Sequence, residues 1–310
     1  MQKSDFIKKI QNSIFAVSAD NADFTNKMNE VNTMLQNVAG VSFTNRSAAS
    51  KLTGLSYLAG VDSSSKIVKG QKLDYMTLVL YLAAADMSGF NLCPMATAGC
   101  KQACLVSSGR AKLVSAGQQI NSITWARLKK TWLLMFNREF FMAWLNAEIY
   151  AAKNLAKDSN KNFAVRLNGT SDLSIGLFKI NGLSLLSIHS DVQFYDYTKL
   201  RKQLDSAKQY SNYDVTFSYA NTDEHNNIAN AMYALSIGQK IAVVFDYSTF
   251  GGTFPATFLG YEVVNGDETD LTFLQEKQVL ALNLKKVKTS QTDNSFIVTK
   301  DMYEAMTAAM

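Results

Sequence analysis

Apolar positions in this chain change their period along its length, and each change predicts a different element. Phe6, Ile7 and Ile10 share one helical face, and Met28, Val31, Met34, Leu35 and Val38 repeat at helical spacing. The first 55 residues therefore read as short amphipathic helices. Ala39-Gly40, Gly60 and Ser63-Ser64-Ser65 mark loops, with a small strand predicted near Lys66–Val68. Met76–Leu82 is then a continuous apolar run, as expected of a strand buried on both faces. Residues 112–156 return to helical spacing through Trp125, Leu128, Trp132, Met135, Phe136, Phe140 and Trp144, predicting one long helix or a helical pair.

Beyond that stretch strands and helices alternate. Strands are predicted at Asn162–Leu167, Val192–Tyr197, Tyr213–Tyr219, Lys240–Tyr247, Gly260–Val264 and Val279–Leu284. Polar helical segments lie at 198–210 and 223–237, and Asn265-Gly266-Asp267 reads as a turn. The alternation predicts an α/β fold with a mostly parallel sheet of about six strands, either an open doubly wound sheet or an incomplete (β/α) barrel, the barrel being the leading reading. Residues 1–72 form an N-terminal helical extension in this reading, 73–290 the barrel-like domain, and 291–310 a helical tail. In such sheets ligands gather at the C-terminal strand ends. Those ends carry a cysteine loop, Asn168–Asp172, Asp196 and Thr198, Ser218–Asn221, and Asp246–Ser248.

Composition narrows the possible functions. The 310 residues are 47% hydrophobic and 18% charged, a globular balance. A formal charge of +5 permits an anionic partner, such as a nucleotide or nucleic acid, without demanding one. No apolar run approaches the roughly 18 residues a bilayer span needs, so no membrane partner is expected. The first 15 residues interleave charge with apolar positions rather than forming a signal sequence, which points to the cytoplasm. Phosphate-binding G-x-x-x-x-G-K-[ST], dinucleotide G-x-G-x-x-G and hydrolase G-x-S-x-G patterns are absent from the sequence. With two histidines in the whole chain, a serine triad is disfavoured as well.

The cysteines carry the strongest chemical signal. All three, Cys93, Cys100 and Cys104, fall within twelve residues in the form C-P-x5-C-x3-C. Three thiolates on a loop at the mouth of a sheet suit three irons of a 4Fe-4S cluster, leaving the fourth iron open to a small ligand. Structural zinc is the second possibility and needs a fourth ligand from His189, His225 or a carboxylate. Small buried or redox-active thiols are the third. Asn168, Gly169, Ser171 and Asp172 come after the next strand and suit recognition of an amino or hydroxyl group. A purely structural role for Ser171 or Asp172 is the N-cap of a helix after them. Strand alternation puts Tyr195 and Tyr197 on one face and Asp196 on the other, with an ion pair from Asp196 to Lys199 or Arg166 expected. Thr198 is the expected cap of the next helix. Arg110, Arg127 and Lys130 either bind a carboxylate or phosphate or occupy a solvated helix face.

These motifs also carry a family resemblance. Cys93-Pro94, Gly99-Cys100, Cys104-Leu105, Gly109-Arg110, Arg166–Asp172 and Phe194–Lys199 resemble the bacteriophage gene 88 product family over about residues 75–285. That resemblance implies a phage or prophage origin and supplies no reaction. The strand–loop–helix position of the cysteines is also similar to that of radical S-adenosylmethionine enzymes, although their usual spacing is C-x3-C-x2-C. This second likeness implies a cluster on Cys93, Cys100 and Cys104 and S-adenosylmethionine as cofactor. Asn168, Gly169, Ser171, Ser218 and Asp246 would then be binding residues, and Asp172 and Asp196 catalytic ones, with Asp172 meeting the cofactor's amino group. The expected activity is modification of a nucleotide, nucleic acid or host component. The competing expectation is a non-catalytic protein that binds nucleic acid or a host factor around a structural metal.

Overall fold

The computed structural model describes residues 22–62, 65–104, 121–284 and 295–308. Phe6, Ile7, Ile10, Arg110, the first part of the 112–156 helical stretch and residues 285–294 lie outside the described residues.

The described chain opens with helices α1 (Ala22–Asn37) and α2 (Arg46–Thr53), then the short strand β1 (Ala59–Val61), helical turn α3 (Ser65–Val68) and β2 (Tyr75–Leu80). A cysteine-bearing helix α4 (Ala98–Gln102) precedes the long pair α5 (Ser122–Phe136) and α6 (Arg138–Asp158), which leads into β3 (Asn162–Arg166). A small hairpin, β4 (Lys179–Ile180) and β5 (Leu183–Ser184), and α7 (Leu185–Ile188) separate β3 from β6 (Gln193–Thr198). Then come α8 (Arg201–Ala207), β7 (Tyr213–Ser218), α9 (Asn227–Ser236), β8 (Lys240–Phe245), β9 (Thr257–Phe258), β10 (Tyr261–Asn265), β11 (Val279–Asn283), β12 (Ile297–Val298) and α10 (Lys300–Ala308).

The main sheet has ten strands in the order β1-β2-β3-β6-β7-β8-β11-β10-β9, with β12 pairing β8. From β2 to β10 every pairing is parallel, whereas the edges β1 and β9 run antiparallel to their neighbours. The parallel α/β reading thus holds, and every long strand expected from the sequence is present. The expected strand at Lys66–Val68 is instead the turn α3. Three residues with one buried apolar position, Ile67, carry too little pattern to separate strand from helix.

The two faces of the sheet differ. Leu78, Leu80, Val165, Phe194, Val215, Phe217, Ile241, Val243, Phe245, Val279 and Ala281 share one core with Trp132, Phe141 and Trp144 of α5 and α6, Leu204 of α8 and Leu235 of α9. Met28, Val31, Met34 and Val38 of α1 and Leu58 belong to that same core. Truncating a buried tryptophan there costs about 3–5 kcal/mol, which makes this face the main source of stability. The opposite face is small and mixed: Ala164, Tyr195 and Leu271 form its buried centre, flanked by Tyr75 and Phe273.

Asn137 explains why the aromatic stretch is a pair of helices. Its backbone leaves the helical region, its amide closes α5 on the Leu133 carbonyl, and its side chain accepts the Phe140 amide at the start of α6. Within α5, the Thr131 hydroxyl accepts the Ala83 amide at 2.9 Å and the Trp132 indole donates to the Ser88 carbonyl at 2.9 Å. Those two bonds fasten the segment leaving β2, which carries the cysteines.

Candidate functional site

Cys93 lies at the end of that fastened segment. Its amide donates to the Asn91 side chain at 3.0 Å, and its sulfur accepts the Ala85 amide at 3.4 Å. Thr97 then caps α4 by accepting the Cys100 amide at 3.2 Å, and Glu224 accepts the Ala98 amide at 2.9 Å. Cys104 closes the same turn through its amide and the Lys101 carbonyl. All three thiols are half-buried, and none is in a disulfide. Burial pushes the Cys93 thiol up to about 12 and the Cys100 thiol up to about 11. Each of these two also feels the negative charge of the Cys104 thiol and of Asp172, while Lys199 pulls the Cys100 value back. The cysteines therefore meet in one electrostatic neighbourhood at the C-terminal rim of β2, β3 and β6. They are not at ligand distance: among the described residues, no three of His, Cys, Asp and Glu are gathered as a metal would hold them.

The Asn168–Asp172 loop forms the second wall. The Asn168 amide and side chain both donate to Asp196, at 2.8 and 3.3 Å, and the Asn168 oxygen accepts from the Ser171 hydroxyl and the Leu173 amide, each at 2.9 Å. Thr170 reaches back to the Leu82 carbonyl at 2.5 Å, and the Asp172 amide to that of Leu92 at 2.8 Å. Asp172 is not a helix N-cap. Its carboxylate accepts the Thr198 hydroxyl at 2.6 Å and the Lys199 amide at 2.8 Å, tying this loop to the end of β6. Burial raises the pKa of Asp172 against the opposing pull of those two bonds. Thr198 does not cap α8, whose N-cap position is Leu200 with no side-chain cap; its oxygen instead accepts the Leu200 amide in the turn before the helix. Gly169 serves packing: a β-carbon there would stand 2.7 Å from the Tyr81 ring and 2.8 Å from Val79, so the loop lies directly on β2.

The expected ion pair of Asp196 with Lys199 or Arg166 is not formed. Asp196 points into the helix-covered core, where it meets Asn168 and Tyr213, and burial lifts its pKa to about 7. Arg166 lies on the opposite face, as alternation requires, and makes both of its carboxylate contacts to Asp270, at 2.9 and 3.2 Å. Lys199 instead donates to the Ser218 carbonyl at 2.6 Å and stands 5.0 Å from the Phe296 ring. With its ammonium buried, its pKa falls to about 8. Ser218 thus enters the site through its backbone. The side-chain contacts of Asp246 stay inside its own turn, with the Ser248 amide and hydroxyl. His189 is held by Asn146 at 2.8 Å and packs on Tyr150, with burial lowering its pKa to about 4. Those contacts place it at the end of α7, against α6, rather than at the cysteines.

Sequence reasoning missed two contributors. Asp270 joins Arg166 across 104 positions, with no local signal to announce it. Phe296 comes from the C-terminal segment: its backbone nitrogen is 3.0 Å from where a β-carbon on Gly99 would stand, so Gly99 is what lets α4 and this segment touch.

The fold and rim define a parallel-sheet α/β protein with a thiol-bearing loop at the C-terminal strand ends. This chain belongs to the gene product 88 family, whose sequence profile matches residues 44–300. No curated protein and no solved structure matches the chain.

Proposed function

We propose that Cys93, Cys100 and Cys104 are the ligands of a thiophilic metal centre, an iron–sulfur cluster in the first instance, on an incomplete (β/α) barrel whose helices lie outside. One observation carries the reading: three thiols from one loop share a single electrostatic neighbourhood at the ligand-binding end of a parallel sheet. The strand order supports the barrel, since it advances from β2 through β8 without the reversal of a doubly wound sheet, and α5, α6, α8 and α9 pack on one face.

The donor set fits such a centre in kind, and the sulfurs would have to draw together from their present positions to hold it. Three sulfurs leave a fourth position, and the carboxylate that Cys93 and Cys100 both sense, Asp172, has its two oxygens committed to Thr198 and Lys199. The open position is then available to a small molecule, and in the radical reading S-adenosylmethionine would supply the oxidising chemistry there. Lys199 is a buried cation of the rim. It offsets thiolate charge beside Cys100, while Asn168, Ser171 and Asp172 keep the neighbouring loop rigid.

The test is anaerobic purification followed by measurement of iron, sulfide and zinc per chain. Iron with sulfide, lost together in Cys93→Ser, Cys100→Ser and Cys104→Ser, supports the cluster. A single zinc lost in the same variants replaces it with a structural metal, the arrangement expected of a non-catalytic binding protein. No metal under these conditions overturns the proposal. Reductant with S-adenosylmethionine, read as 5′-deoxyadenosine, tests the radical step separately.

A further inference from the structure

The second face of the sheet carries polar groups that the protein does not satisfy. Register places Thr77 and Val79 of β2, Ala164 and Arg166 of β3, Tyr195 and Tyr197 of β6 and Thr216 of β7 on that one face. Two cations stand on it and a third at its rim. Arg166 lies 4.7 Å from the Tyr197 ring, Lys66 lies 5.8 Å from the same ring, and Arg127 reaches over from α5 to lie 5.2 Å from the Tyr81 ring. One carboxylate, Asp270, serves two of them: it pairs with Arg166 at 2.9 Å, lies 3.5 Å from Lys66, and also accepts the Tyr195 hydroxyl.

Arg127 has no such partner among the described residues. Its Nε and Nη1 are buried without a hydrogen bond, as are Arg166 Nε and the hydroxyls of Thr77 and Thr216. Each buried donor left unmade costs about 1–3 kcal/mol, more when it is charged, so this concentration on one face is expensive unless something outside the chain completes it. Planar guanidinium forks with excess positive charge select oxyanions, which accept two parallel N–H bonds.

We propose that Arg127 binds the oxyanion group of a small molecule, a phosphate or carboxylate, beside Tyr81 at the rim of the sheet. Arg127 also packs beside Ala83, Ala84, Met87 and Thr124, on the segment that leads to Cys93. The bound group would therefore sit at the inner end of the cysteine loop. The site stands on its own residues, whether or not the thiols hold a metal.

The test is calorimetric titration of the full chain with inorganic phosphate, a nucleoside monophosphate and a dicarboxylate, each at fixed ionic strength. Binding of at least one is expected, with Arg127→Gln weakening it tenfold or more and Arg127→Lys less so. Lys51→Gln, an exposed lysine on α2, should leave it unchanged. The tightest of the three probes names the source of the oxyanion. Arg127→Gln should fold as well as the wild type, because it removes an unsatisfied buried charge; its melting temperature checks this. Absence of binding by all three probes, equal binding by Arg127→Gln, or equal loss in Lys51→Gln would overturn the proposal.

Discussion

Asn168 delivers two hydrogen bonds to one carboxylate, that of Asp196, from its backbone amide and from its side chain. Asp196 is 1% exposed and belongs to β6, so the loop after β3 is held from beneath by the neighbouring strand. The two bonds favour the ionised acid, and the Arg166 charge helps. Desolvation outweighs both and leaves the group near pH 7.

That balance gives stability a defined pH dependence. In the unfolded chain an aspartate ionises near pH 4, whereas in the folded protein it holds its proton until about pH 7. Between those values the folded state binds more protons, so Asp196 costs stability as pH rises through this window and nothing further above it. Asp196→Asn should remove the trend, gaining on the wild type by on the order of 2–4 kcal/mol between pH 4 and pH 8. Urea midpoints of both proteins at three pH values measure it. Parallel curves would show that Asp196 is ionised throughout.

Glu148 of α6 is a second buried acid with a backbone task. It accepts the Leu58 amide at 2.9 Å and the Ala59 amide at 2.8 Å, pinning the start of the edge strand β1 to the long helix. Burial raises its pKa against the pull of those two amides. Glu148→Ala strands both donors and should cost about 3 kcal/mol, with Glu148→Gln losing less than half of that. Hydrogen exchange at Leu58 and Ala59 should accelerate in the alanine variant ahead of the rest of the sheet.

Gly169→Ala should lose about 1–3 kcal/mol through overpacking against Tyr81 and Val79. Thermal melting reads the loss. A change below about 0.5 kcal/mol would mean that the loop can retreat from β2 at little expense.

In metal-free protein at pH 7.5, Cys93 and Cys100 should resist alkylation. Thiols raised to about 12 and 11 carry far less thiolate than an exposed cysteine near 8.5, and the greater nucleophilicity of a more basic thiolate offsets only part of that. Iodoacetamide labelling and peptide mapping should show rates at least about tenfold slower at both positions than in the urea-unfolded chain. Labelling as fast as in the unfolded chain would place these sulfurs in water.

The long strands were legible because an apolar run such as Met76–Leu80 needs no partner to announce itself. Strands β1, β9 and β12 were not, since two or three residues carry no period and exist as strands only through the neighbour they pair with. The rim's membership was readable from strand ends, but its wiring was not. Asp172 caps no helix, and its tie between two loops, to Thr198 and Lys199, has no signal in the local sequence. Spacing offers either Lys199 or Arg166 to Asp196, but Arg166 sits on the other face and Lys199 finds the Ser218 carbonyl. Pairings of this kind depend on three-dimensional proximity across dozens of residues, which spacing alone does not encode. Lys130 shows the same limit: read as an anion binder or a solvated helix position, it is buried 4.7 Å from the Tyr57 ring, with its pKa lowered to about 8.

Strand β12 sets beside β8 at Val244 and Phe245, just beyond the point where β7 stops pairing, and it carries Phe296 to Gly99 and Lys199. Translation delivers the cysteine loop nearly two hundred codons before the aromatic residue that packs beside Gly99 and Lys199. A ribosome still short of residue 298 would thus carry α4 and the buried lysine without that contact, and this corner of the rim is completed only when the final strand pairs with β8.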